Sequence, residues 1–64
     1  MKDLLTPDDV ERLAAENGLS MSDLFARAGI SHTTFYRWRA GKTEPTLAIY
    51  RRIRDVLAEA ARVA

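Results

Sequence analysis

LSMSDLFARAGISHTTFYRWRAG, Leu19 to Gly41, is the stretch from which the fold is read. It divides at Gly29 into two short helices joined by a tight turn. Ser20 opens the first as N-cap, with Asp23 at the third helical position, where a capping box places an acid. Leu19 and Leu24 flank that start as a hydrophobic staple. Gly29 supplies the left-handed residue that ends the helix. The same device repeats at once: Ser31 is the next N-cap, Ile30 and Phe35 are its staple, and Gly41 closes the second helix. Phe35 and Trp38, three apart, share one face and are assigned to a core. A connection of only a few residues suits two helices that cross steeply, not an antiparallel pair.

Working outward, Thr6-Pro7-Asp8-Asp9 announces an earlier helix. Thr6 caps it, Pro7 sits where a missing N–H costs nothing, and the two acids meet the positive end of the helix dipole. Leu5 and Val10 form its staple, and it runs to about Asn17 before Gly18. Residues 1–5 read as a frayed arm. Downstream, Lys42 to Pro45 is a loop, Thr46 is a cap, and an uninterrupted helix extends over about 46–62. Leu47, Tyr50, Ile53, Leu57 and Ala60 or Ala61 make one apolar stripe along it. Ile49, Val56 and Val63 make a second line beside the first. No strand pattern, repeat or low-complexity segment occurs. The expectation is one all-α domain over residues 1–64, a bundle of four helices with an extended fourth.

Sixty-four residues make a small core that is marginal without help. There is no Cys, so neither a disulfide nor a thiolate metal site supplies that help, and association of copies is the remaining common staple. No apolar run reaches the ~20 residues that span a membrane, and no signal-peptide pattern opens the chain, so a soluble, cytoplasmic protein is expected. The net charge of +1 hides a polarity. Residues 1–30 carry three cations against six acids, a balance of −3, and residues 31–64 carry seven against three, a balance of +4. A basic half is an electrostatic footprint for phosphate, though mixed charge also suits a solvated surface.

Taken together, Leu19-Ser20, Leu24, Gly29-Ile30-Ser31, Thr34-Phe35, Arg37-Trp38, Gly41-Lys42 and Pro45-Thr46-Leu47 resemble the helix-turn-helix of the Cro/repressor (XRE) family of lambdoid phages. The resemblance implies a lambda-repressor-like helical domain, helix-turn-helix core 19–41. It also implies sequence-specific DNA binding and a homodimer that regulates transcription, as a repressor of phage or prophage type. The pattern departs from the family at Phe25, where a small residue usually stands; at Met21, where a polar residue usually meets a phosphate; and at Ala40, where some members have a phosphate-binding Asn. Arg51 stands where the family is usually apolar, and the fourth helix continues where many members begin a fifth.

On that reading Arg37 is the first candidate for base readout, because its guanidinium fork matches guanine O6 and N7 in the major groove. His32, Thr33, Thr34 and Tyr36 share its side of the helix. Ser20 and Ser22 at the start of the second helix, Lys42 and Thr43 in the loop, and Arg51 and Arg52 in the last helix are the candidate phosphate contacts. Ile49, Val56, Ala60 and Val63 are the candidate dimer interface. The partner is a double-stranded DNA operator, with a regulatory protein as a possible second partner; no cofactor, metal or membrane is expected. Two other functions fit the same pattern: a protein-interaction module, antitoxin-like or an accessory subunit, and a non-specific architectural DNA binder. With one His, no Cys and no converging acids, the sequence offers nothing to build an enzyme site from.

Overall fold

Four helices follow one another in the computed structural model, which describes residues 5–63: α1 (Pro7–Glu16), α2 (Met21–Ala28), α3 (His32–Arg39) and α4 (Leu47–Val63). There are no strands among the described residues. Each start is fixed by its own cap. The hydroxyls of Thr6, Ser20 and Ser31 each accept the backbone N–H three residues on, at 3.1 Å, and Thr46 accepts that of Ile49 at 3.3 Å. A reciprocal capping box forms at α1, not at α2: the Thr6 N–H donates to Asp9 Oδ2 at 3.1 Å. At α2 the acid Asp23 lies in the first turn, and the Ser20 hydroxyl makes the cap.

α3 closes on a paired turn. Gly41 at φ 79° donates to the Trp38 carbonyl at 3.0 Å, and Lys42 donates to that of Arg37 at 2.9 Å. This pattern satisfies the last carbonyls of the helix, and its left-handed residue is one that an L side chain rarely adopts. The closure matters because HTTFYRWR is a poor helix on its own. It is eight residues long, below the length at which an isolated helix holds in water, and it is rich in Thr and aromatic residues. Capping at both ends and burial of one face hold it.

That face enters a core made by all four helices. Val10 and Ala14 come from α1, Leu24 and Ala28 from α2, Phe35 and Trp38 from α3, and Ile53 and Leu57 from α4, with Leu19 from the connection. Complete burial of Phe35, Leu24, Ile53 and Val10 contributes about 1.5–3 kcal/mol each. Aromatic rings run through the bundle in sequence. Phe25 lies 5.2 Å from Phe35, Phe35 meets Trp38 edge-on at 5.8 Å, and Trp38 meets Tyr50 edge-on at 5.5 Å. The large Phe25 is thus accommodated: half-buried, it tilts onto Phe35 between α2 and α3.

Two expectations are corrected. Leu47, assigned to the inner stripe of α4, is 57% exposed. It is the first residue of the helix, and Tyr50, one turn later, takes the place against Trp38. Leu5, placed in a frayed arm as well as in the staple with Val10, is half-buried against the core, in keeping with the staple and not with fraying; residues 1–4 of that arm lie outside the described residues.

Candidate nucleic-acid interface

The two sides of α3 differ completely. Phe35 and Trp38 are buried, while His32, Thr33, Thr34, Tyr36 and Arg37 are all exposed, Tyr36 by 54%. The sequence-based division of this helix matches the structure residue by residue. Among the exposed five, three are further constrained. Thr34 Oγ1 lies 3.0 Å from Ser31 Oγ, so its hydroxyl is engaged at the helix start. The His32 and Tyr36 rings, one turn apart, meet edge-on at 6.0 Å. The Tyr36 ring also meets Phe35 edge-on at 6.1 Å, which ties its position to the core. Arg37 has no ion pair or side-chain hydrogen bond among the described residues, so its fork is open to a ligand.

Charge is distributed to match. α1 and α2 carry acids in their first turns, Asp8 with Asp9 and Asp23, and α3 carries none. The positive end of α3 is therefore not neutralised by its own side chains, which suits a helix that approaches polyanionic phosphate. Ser20 spends its hydroxyl oxygen on the cap of α2, and Ser22 is exposed one residue into the first turn. Lys42 and Thr43 are exposed in the loop after α3, just past the turn at Gly41.

Helix α4 places its arginines in different settings. Arg52 lies over the turn between α2 and α3: a Cβ at Gly29 would sit 3.3 Å from its Nη1. Gly29 is at φ 74°, so a side chain there would be strained as well as crowded. Arg51 is exposed and free of ion pairs among the described residues. The apolar line of the same helix is only partly available. Ile49, Val56 and Ala60 are half-buried against the core, and the side chain of Val63 lies outside the described residues.

One polar contact of α3 was not read from the sequence. Arg39 Nη1 bonds Glu11 Oε2 in α1 at 2.7 Å. The two residues are 28 positions apart, and no local pattern links them. Burial, and then the carboxylate of Glu44, push the Tyr50 phenol above its usual range.

Two short helices joined by a tight turn at Gly29, with a buried inner face, an exposed polar outer face on the second helix and an unpaired Arg there, make up a DNA-binding helix-turn-helix. The family model for the helix-turn-helix, of XRE type, matches residues 6–61. The chain belongs to this family, which is one of DNA-binding regulators and not of enzymes. No curated protein and no solved structure matches it. No helix among the described residues is long and apolar enough to cross a membrane.

Proposed function

We propose that this regulator binds a palindromic operator in double-stranded DNA as a homodimer and represses transcription, with α3 of each protomer in a major groove. The observation that carries the reading is the outer face of α3, where Arg37 stands exposed and unpaired beside Tyr36 and Thr33. Arg37 reads guanine through its fork, and His32, Thr33, Thr34 and Tyr36 complete the base-reading surface. The Thr34 hydroxyl is shared with Ser31, which leaves its methyl group and a free lone pair for the DNA. Ser20, Ser22, Lys42, Thr43, Arg51 and Arg52 contact phosphates and set the register.

Two-fold symmetry puts the half-sites one helical turn apart, about 34 Å. The dimer forms through the parts of Ile49, Val56 and Ala60 that the core leaves open, together with Val63.

Selection of bound duplexes from a random pool, followed by gel-shift titration at several salt concentrations, tests this directly. The expected result is a palindromic site bound in a salt-sensitive manner. Salt-sensitive binding with no preferred site would make the protein an architectural binder. No shift on any duplex would favour the protein-interaction reading, which the half-open apolar line of α4 supports.

A further inference from the structure

Arg37 and Arg39 lie two positions apart on α3, a turn of about 200°, so their side chains leave the helix on opposite sides. Arg37 stands unpaired on the outer face. Arg39, the last residue of α3, turns back to α1 and donates to Glu11 at 2.7 Å. The acceptor is the more sheltered partner: Glu11 is 30% exposed and Arg39 51%. The other ion pairs between described residues, Arg12 with Asp9 and Glu16 and Arg62 with Glu59, join neighbours one turn apart on a single helix. Glu11–Arg39 is the one among them that ties two helices together.

The remaining grip on α3 is apolar. Phe35 and Trp38 hold it by burial, which favours contact but prescribes little direction, and by an edge-on ring contact that is weaker than a charged hydrogen bond. Such a grip resists removal of the helix more strongly than a small roll or tilt. A guanidinium–carboxylate contact is directional, and it acts at the far end of α3 from His32. Seven residues of helix separate the two ends, about 10 Å, so a tilt of about 6° at one end displaces the other by about 1 Å. Binding constellations need placement to about 0.5 Å.

We propose that Glu11 of α1 is a positioning residue for DNA recognition. Through Arg39 it fixes the orientation of α3, and it withholds the Arg39 charge from phosphate, so that Arg37 is the cation this helix offers to DNA. The inference rests on α3 as the reading helix. It adds a determinant of specificity on a helix that never meets the DNA bases.

The test is a double-variant cycle on the full chain: Glu11→Gln, Arg39→Gln and the double variant, each titrated against the selected operator and a random duplex over a salt series. Thermal melts run in parallel establish that every variant is folded at the assay temperature. The pair is partly exposed, so each single variant is expected to narrow the operator-to-random ratio by about two- to fivefold. Glu11→Gln, which frees Arg39, also tightens random-duplex binding and steepens its salt slope by about one. The double variant is expected to discriminate no worse than Arg39→Gln alone.

A contact that served stability alone would lower the melting temperature and leave the ratio where it is. An unchanged ratio in both single variants, or losses that simply multiply in the double variant, would overturn the proposal. Should the wild-type chain itself fail to discriminate, the fault would lie with the reading of α3, and the role of Glu11 would fall with it.

Discussion

The inner and outer faces of α3 belong to one eight-residue helix, yet they obey different rules. Phe35 and Trp38 on the inside have their surroundings completed by the protein itself, ring against ring and into the core. Tyr36 and Arg37 on the outside leave theirs incomplete: one is an exposed aromatic, the other a guanidinium with no partner among the described residues. A side chain whose contacts are satisfied internally contributes to stability and says little to a ligand. One held in place but unsatisfied does the reverse. The two faces are therefore separable by experiment, because substitutions on one should move the melting temperature and substitutions on the other should move affinity.

The largest expected effect lies inside. Phe35→Ala removes a completely buried ring and three ring contacts, at a cost of about 3–5 kcal/mol. A domain of this size holds about 3–10 kcal/mol in all, so chemical denaturation should show a large fraction of that margin lost. Next comes the outside. Arg37→Ala should weaken operator binding by about 1–3 kcal/mol and relax the preference at one base pair, with the melting temperature unmoved. Equal weakening on operator and random duplex would remove Arg37 from the list of base readers.

Ser31→Ala tests the seam between the faces. Loss of the cap should cost about 1 kcal/mol of stability, and it also releases the Thr34 hydroxyl, so this variant should move melting temperature and operator affinity together. Lys42→Ala is milder: binding should weaken on all duplexes alike, and the salt slope should fall by about one.

The smallest effect concerns alkaline pH. The folded Tyr50 phenol titrates above its ordinary value, so the folded state holds its proton more tightly than the unfolded state. That contribution is fully present below about pH 10 and is lost as pH rises through the folded value. Tyr50→Phe should flatten the alkaline end of the stability profile.

What was legible in the sequence was local. The caps at Thr6, Ser20 and Ser31 pair a hydroxyl with an N–H three residues away, and such spacing can be read directly from the chain. The inner and outer faces of α3 follow from helical periodicity for the same reason. Periodicity gives the direction of a side chain and not what stands opposite it, and Leu47, at the first position of α4, is left 57% exposed. Phe25 shows the same limit from the other side. Its departure from the family pattern was visible, but its ring partner Phe35 lies across a turn whose angle the sequence does not print. The Glu11–Arg39 pair needed the assembled bundle, since no local rule joins residues 28 apart.

The repeated caps have a kinetic side as well. Each closes a ring of only three residues, the shortest loop with the least chain entropy to lose, and each stands at the boundary of a helix. Helix limits can thus be marked before any distant parts of the chain meet. A topology of short helices joined by short turns, with its boundaries written locally, belongs with the chains that fold in microseconds to milliseconds. For a polypeptide this small, with aromatic side chains to shelter, a brief search leaves those rings little time in water.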